Sequence, residues 1–206
     1  MHIRSLLRTG FAAAFLATSM GAATSAFASQ DNPQPRQGND LSGLHAFDSR
    51  VGCSTFHNRV LRERLADSHD WFEYDGKQRL WLVMGGYGNM DENWLDKPDG
   101  AYYGLTVRTY DPKTAVWTIW WFDGRNPSAD IDPPVRGHFV NGVGTFLGDV
   151  TFNGKPTKVR FIWSKMTATS AHWEQAFSAD GGKTWETNWY TDFTKVACPA
   201  ETGAAT

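Results

Sequence analysis

A carboxylate at the end of an aromatic strand, Asp123, is one residue in this sequence that could act as an acid or a base. In the stretch "VWTIWWFDGR", strand alternation places Asp123 on the same face as Ile119 and Trp121. A carboxylate beside such a stripe must be paired, exposed or shifted in pKa. Arg125 is near enough in sequence to pair with it. We therefore consider two interpretations: an ion pair between Asp123 and Arg125, or a carboxylate that faces a ligand and acts as an acid or base.

A second candidate acid or base is His57, in the stretch "STFHNRVLRERLAD". The apolar residues of this stretch fit a helix capped by Ser54, whereas its alternation fits a strand on which His57 and Arg59 share a face. The polar stretch "GGYGNMDENW" predicts a loop that carries Asn89. We therefore consider His57 beside Asn89 as an alternative catalytic arrangement, and both helix and strand stay open for residues 54–67.

Other catalytic classes have little support in the sequence. The histidines beyond the N-terminal segment show no short metal-ligand spacing, so we predict no metal site and no cofactor. The absence of a Gly-x-Ser-x-Gly motif argues against a serine hydrolase of that kind. Glu174 and Glu186 could form a glycosidase pair, but strand alternation places both on the outer face of a sheet.

The stretch "FSADGGKTWETNW" contains Ser-x-Asp-x-Gly-x-Thr-Trp, the Asp-box pattern of sialidase-like propellers. A propeller needs such a motif in several blades at a fixed period, and this sequence contains it once. A hairpin turn explains the same residues, because Asp180 can cap the turn while Gly181 and Gly182 permit positive φ. We interpret the motif as a turn and not as part of a glycosidase.

Short strands joined by turns account for most of the chain. Asn-Gly pairs at 141–142 and 153–154 predict type I′ hairpins, and "DPKT" at 111–114 predicts another turn. About eight to ten sequential strands need closure, because an open meander leaves two unpaired edges. We therefore predict an all-β fold, an antiparallel up-and-down barrel of lipocalin type. An immunoglobulin-like sandwich is the alternative.

Strand pairing predicts which side chains face the barrel interior. Pairing about the turn at 153–154 places Phe146 opposite Phe161 on an apolar face. The same pairing places Asp149 opposite Lys158 on the other face. The apolar face continues along neighbouring strands, so we assign it to the interior.

The predicted interior is rich in tryptophan. Pairing about the turn at 179–183 places Trp173 opposite Trp189 and Gln175 opposite Thr187, all on the interior face. The sequence contains ten tryptophans, and a barrel lined by several of them can stack a flat apolar or aromatic ligand. The predicted ligand-binding residues are Trp121, Trp163, Trp173, Trp189, Gln175, Arg125 and Asn89.

Two arginines lie in the middle of predicted strands. Arg108 and Arg160 are expected to make exposed cross-strand ion pairs. Carboxylate recognition by their guanidinium groups is the alternative, since arginine matches that geometry with two parallel hydrogen bonds.

The N-terminal segment has the anatomy of a secretory signal peptide. Basic "MHIRSLLR" precedes apolar "FAAAFLATSMGAAT" and the small residues of Ala26-Phe27-Ala28. We predict a signal peptide at 1–28, a flexible leader at 29–42, one domain at 43–198 and a disordered tail at 199–206. The location is then the periplasm or the exterior, and no membrane span follows. Loss of Arg4 and Arg8 changes the net charge from −2 to −4, which does not favour nucleic acid as a partner.

Two cysteines, Cys53 and Cys198, lie near opposite ends of the predicted domain. An even number of cysteines in an exported protein favours a disulfide. A catalytic thiol is the rival interpretation, but neither cysteine has a neighbouring histidine or basic cluster in the sequence that would lower its pKa. We predict that the two form a disulfide.

Several motifs together resemble an uncharacterised bacterial domain family expected to form lipocalin-like, or calycin, barrels. They include "HNRVLRERL", "GGYGNMDE", "VRTYDP", "WTIWWFDGR" and "WEQAFSADGGKTWETNW", and they extend from about residue 57 to residue 193. The resemblance implies a barrel and favours a strand for residues 54–67. It carries no settled activity and therefore names no substrate.

Three functions follow from these observations. The leading hypothesis is an exported barrel that binds a small hydrophobic or aromatic molecule. The second is a cofactor-independent enzyme, such as a lyase, isomerase or hydratase, that uses Asp123 or His57 in the same pocket. The third is a structural envelope domain without a ligand, whose tryptophans serve only as core.

Overall fold

The computed structural model describes residues 40–129 and 131–200. Ten antiparallel strands in these residues form one closed barrel. The strands are β1 (Gly52–Leu61), β2 (Trp71–Val83), β3 (Gly88–Leu95), β4 (Tyr102–Asp111), β5 (Val116–Asp123), β6 (Val135–Val140), β7 (Val143–Phe152), β8 (Lys155–Ser164), β9 (Ser170–Ser178) and β10 (Glu186–Val196). Two short 3₁₀ helices occupy Asp48–Arg50 and Met84–Gly86. The predicted signal peptide and most of the predicted leader and tail lie outside the described residues.

Each strand pairs with its neighbours in sequence, and β1 pairs with β10 to close the barrel. This order confirms the all-β, up-and-down barrel, and closure satisfies the edges that an open meander would leave unpaired. Cys53 and Cys198 form the predicted disulfide, with their Cα atoms 5.0 Å apart. Because Cys53 lies on β1 opposite Val196 of β10, the disulfide joins the two strands that close the barrel. In the part of the chain that the structure describes, no helix is long and apolar enough to cross a membrane.

The predicted turns set the register of β7 and β8. Asn153 and Gly154 both have positive φ, at 49° and 75°, as a type I′ turn requires. Phe146 consequently pairs with Phe161, and Asp149 pairs with Lys158, as predicted. The Asn141-Gly142 turn has the same conformation, with φ of 51° and 78°.

The stretch at 54–67, which the sequence left open between helix and strand, is a strand as far as Leu61. Asn58 and Val60 are buried, whereas His57 and Arg59 point outward and contact β2 side chains on the barrel exterior. Residues 62–70 then form the loop to β2. Burial of alternate side chains against the barrel interior favours the strand over a surface helix.

Two local predictions were wrong. The stretch that contains Asn89 is not a loop, because Asn89 and Asn93 both lie on β3 and are buried. The predicted pairing of β9 with β10 is also shifted, since a β-bulge lies between Thr187 and Trp189. The turn already shifts the pairing by one residue, so that Phe177 lies opposite Glu186, and the bulge adds a second residue, which places Trp189 opposite Gln175 instead of opposite Trp173.

One end of the barrel is closed by the segment that precedes β1. Phe47 is only 1% exposed, and its ring packs edge-to-face against Trp117 and Trp163, with centroid distances of 5.1 and 5.6 Å. Residues 40–42, which the sequence assigns to the leader, also contact this end: the backbone N–H of Asp40 donates to the carbonyl of Pro112 at 2.8 Å. The loops that follow odd-numbered strands lie at the opposite end, which we call the mouth.

Candidate ligand cavity

The barrel encloses a cavity of about 390 Å³. Loops at the mouth contribute Arg64, Arg125 and Asp132 to its lining, so the cavity lies between the closed end and the mouth. Its volume falls in the range of cavities that hold small molecules.

Aromatic side chains form one wall of this cavity, which we call the aromatic wall. Its members come from β5 and from β8 to β10: Trp121, Phe161, Trp163, Trp173, Phe177 and Trp189. Trp173 packs edge-to-face against Phe161 at 4.9 Å and against Trp189 at 5.7 Å between ring centroids. The four tryptophans that the sequence predicted to bind a ligand therefore share one cavity surface.

On the strands across the barrel, polar side chains line the cavity among apolar ones such as Phe56, Leu95 and Phe193, and we call the polar set the polar wall. It consists of inward side chains from β1 to β4 and β10: Asn58, Gln78, Asn93, Thr106, Arg108 and Thr191. Gln78 Nε2 donates to Asn93 Oδ1 at 3.0 Å, and Asn93 Nδ2 donates to Asp91 Oδ1 at 2.5 Å. Asp91 also pairs with Arg108. Burial of these polar side chains is tolerated because they form hydrogen bonds and ion pairs with one another.

A second arginine lies beneath the polar wall. Arg50 is 1% exposed and donates to Gln78 Oε1 at 3.0 Å and to Ser54 Oγ at 3.3 Å. Burial lowers the pKa of Arg50 to about 10, and repulsion from Arg108 acts in the same direction. Asp91 is thus the carboxylate that balances two buried guanidinium groups.

Asn58 connects the two walls. Its Oδ1 accepts hydrogen bonds from Trp189 Nε1 at 2.8 Å and from Thr191 Oγ1 at 2.7 Å. Within the described residues its buried Nδ2 has no hydrogen-bond partner. Asn58 therefore holds the indole of Trp189 in place, while its buried NH₂ group, with two N–H donors, has no partner in the described residues.

Asp123 and Arg125 form the ion pair that the first of our two interpretations described. Arg125 donates from Nε to Asp123 Oδ1 at 2.9 Å and from a terminal nitrogen to Oδ2 at 2.5 Å. These hydrogen bonds hold the pKa of Asp123 below its usual value. Both residues line the cavity at its mouth, but a carboxylate engaged by both oxygens is a poor proton acceptor near neutral pH.

The structure does not bring His57 and Asn89 together. His57 lies on the barrel exterior, where its Nδ1 is 2.7 Å from Asp75 Oδ1. Asn89 is buried and accepts a hydrogen bond from Arg108 at 3.0 Å, beneath the side chains that line the cavity. The remaining predicted ligand residue, Gln175, does line the cavity and donates to Asn188 Oδ1 at 2.9 Å.

Sequence reasoning missed most of the polar wall and Arg64. Asn89, Asp91 and Asn93 alternate along β3, and this period of two is a strand signal. The polarity of the stretch favoured a loop over a strand. Arg108, expected on the exterior, is 3% exposed and faces inward.

The side chains around the cavity are better suited to ligand binding than to catalysis. The described residues contain no group of three or more His, Cys, Asp or Glu side chains that could hold a metal ion. The Asp-box residues form the turn between β9 and β10, where Asp180 accepts from the backbone N–H groups of Lys183 and Thr184 at 3.0 Å. What remains is a cavity with an aromatic wall, a polar wall and charged groups at its mouth.

No protein-family model matches this chain. No curated protein matches it either. Among solved structures, the barrel is similar to the S-type phycobiliprotein lyase CPES from Guillardia theta, with a TM-score of 0.49 and 11% sequence identity over 74% of this chain and 92% of the other. A likeness of this degree carries no argument about ligand or activity. The strand order of the chain itself, a closed antiparallel barrel of ten strands, fits a calycin-like architecture.

Proposed function

We propose that this protein is an exported barrel that binds a small aromatic molecule. The observation that carries the proposal is the cavity of about 390 Å³ in which an aromatic wall faces a polar wall. A flat ring can pack against Trp173 and Trp189, while its polar substituents meet amide and hydroxyl groups on the other side. The disulfide is compatible with export, since disulfides persist in oxidising compartments.

The cavity supports a binding function over a purely structural one. Tryptophans that served only as core would fill the space between the walls, because protein interiors are close-packed. The pairing of Asp123 with Arg125 also favours a binder over an enzyme that uses Asp123 as its base.

Native mass spectrometry of the mature protein from its own envelope tests this function directly. We expect a stoichiometric small molecule to accompany the protein. Direct binding is measured by calorimetry with a neutral aromatic series: benzamide, naphthalene-2-carboxamide and biphenyl-4-carboxamide. Absence of a copurifying molecule, together with no measurable binding of any of the three amides or of the corresponding carboxylates, would reject the proposal.

Substitution of Trp173 locates the binding site. Trp173→Leu removes one ring of the aromatic wall, and we expect about a tenfold loss of affinity for the tightest-binding amide. Trp71→Leu is the matched control, because Trp71 packs against Tyr190 and Arg59, away from the cavity. Equal effects of the two substitutions would place the ligand elsewhere.

A further inference from the structure

Of the three arginines that line the cavity, Arg64 is the one for which the described residues show no carboxylate partner. In the described residues, Arg108 pairs with Asp91 and Arg125 pairs with Asp123, but no carboxylate lies within ion-pair distance of Arg64. Nor does Arg64 donate a hydrogen bond to any described residue. The Nε of Arg108 is buried and has no hydrogen-bond partner. None of the Arg64 nitrogens is buried in this way, so they remain accessible. The guanidinium of Arg64 is therefore open to a ligand.

The position of Arg64 is set by its neighbours. Its guanidinium carbon lies 5.5 Å from the ring centroid of Phe177 and 5.7 Å from that of Trp189, both on the aromatic wall. The next residue, Leu65, packs against the barrel core, and its backbone N–H donates to Glu186 Oε1 at 2.7 Å. These contacts hold the loop in place, so Arg64 needs little rearrangement to bind a ligand.

Further groups near Arg64 suit an anion. Tyr102 lines the cavity, and Tyr74 interacts electrostatically with both Arg64 and Tyr102. Burial raises the pKa of each phenol, so both hydroxyls stay protonated and can donate. Neither hydroxyl has a hydrogen-bond partner in the described part of the chain. Glu186 interacts electrostatically with Arg64 without an ion pair, and its Oε1 accepts a hydrogen bond from the backbone N–H of Leu65.

Burial also affects Arg64 itself. Loss of hydration lowers the pKa of Arg64, with Arg125 contributing weakly in the same direction. The guanidinium nevertheless stays charged at neutral pH, because its ordinary pKa is above 12. A half-buried cation with poor hydration and no paired carboxylate gains from an anionic ligand, since the charge-assisted hydrogen bonds replace missing solvation.

We propose that the ligand is an aromatic carboxylate, whose ring packs on the aromatic wall and whose carboxylate accepts hydrogen bonds from Arg64 at the mouth. This inference rests on the proposed function and specifies the chemical class of its ligand. Arg64 lies over two rings of the aromatic wall, so one molecule can reach both the rings and the guanidinium.

Calorimetry with matched compounds tests the inference. Benzoate, naphthalene-2-carboxylate and biphenyl-4-carboxylate are compared with their carboxamides, which have the same shape without the charge. We expect the best carboxylate to bind the mature wild-type protein at least about tenfold more tightly than its amide. Arg64→Gln should remove this preference and leave the affinity for the amide within about twofold. Arg64→Lys should keep part of the preference, since it retains the charge but loses the planar geometry.

Arg62→Gln is the matched control. Arg62 lies in the same loop but pairs with Asp70 at 3.3 Å and does not line the cavity, so this variant should bind both compounds like the wild type. Equal wild-type affinity for carboxylate and amide, or an Arg64→Gln variant that keeps the preference, would overturn the inference while the aromatic binder stands. Failure of every compound to bind would reject the proposed function itself. Circular dichroism and thermal unfolding establish that each variant is folded.

Discussion

Asp91 is the residue on which the polar wall depends. It is fully buried, and its carboxylate faces two buried arginines, of which only Arg108 is in direct contact. Removal of one member of a buried ion pair leaves an uncompensated charge, whereas replacement of both members by apolar groups of similar size can be nearly neutral. Substitution of Asp91 and Arg108 together should therefore destabilise the protein less than substitution of Asp91 alone.

We expect Asp91→Asn to lower the free energy of unfolding by about 3–5 kcal/mol, because Arg50 and Arg108 then lose their only buried counter-charge in the described interior. Urea denaturation monitored by tryptophan fluorescence measures this change. The double variant Asp91→Leu with Arg108→Met should lose less stability than Asp91→Asn. A double variant that is less stable than the single one would contradict this account of the wall.

His57 illustrates a titrating group on the barrel exterior. Its hydrogen bond to Asp75 raises the pKa of His57 above the ordinary value of 6.5, and Glu73 adds to the effect. Because the folded-state pKa is the higher one, the charged ring stabilises the fold fully below about pH 6.5, and this contribution is lost as the pH rises through the folded pKa. The side chain is half exposed, so solvent screening keeps the contribution small.

NMR titration of the histidine ring measures this directly. Asp75→Asn should lower the pKa of His57 toward its ordinary value. Asp149→Asn, which breaks an exposed pair with Lys158 on other strands, should leave the His57 titration unchanged. An unaltered pKa in the Asp75→Asn variant would show that Asp75 is not the cause.

Among the elements, the contact between β4 and β5 shapes the aromatic wall. Gly104 on β4 leaves room for the indole of Trp121: a Cβ at position 104 would lie 2.1 Å from Trp121 Cη2. The Gly104 site needs no positive φ, so the requirement for glycine there is one of space alone. The small residue on one strand thus permits the large residue that lines the cavity on the next.

We expect Gly104→Ala to lower the free energy of unfolding by about 1–3 kcal/mol, because the indole of Trp121 must move to make room. Adding Trp121→Leu should relieve the clash, so that the two substitutions together cost less than the sum of their separate effects. Urea denaturation of the four proteins in this double-mutant cycle provides the test. Strict additivity would mean that Gly104 is required for another reason.

For the whole molecule, closure of the barrel depends on the pairing of β1 with β10 and on the disulfide beside it. Cys53 and Cys198 are 145 residues apart in sequence, so the bond strongly restricts the unfolded chain. We expect the double variant Cys53→Ser, Cys198→Ser to lower the free energy of unfolding by about 2–5 kcal/mol, measured by urea denaturation. Reduction of the wild-type disulfide should produce a matching loss. A change below about 1 kcal/mol would show that strand pairing alone holds the barrel closed.

The sequence by itself determined the barrel and much of its aromatic interior. Turn residues such as Asn153-Gly154 set the register of a hairpin through local backbone geometry, so Phe146 and Phe161 could be paired without a structure. The disulfide followed from the number of cysteines and the predicted export. These inferences succeeded because each depends on residues close in sequence or on composition.

Only the tertiary structure decided the polar wall, the bulge in β10 and the position of Arg64. Asn93 and Arg108 face inward because residues on other strands satisfy their hydrogen bonds. A prediction based on hydrophobicity alone does not take such partners into account. Arg64 belongs to a loop whose course is set by contacts with β10, more than a hundred residues away in sequence. The sequence therefore determined the barrel and most of its strands, whereas the packing of distant strands decided which polar side chains line the cavity.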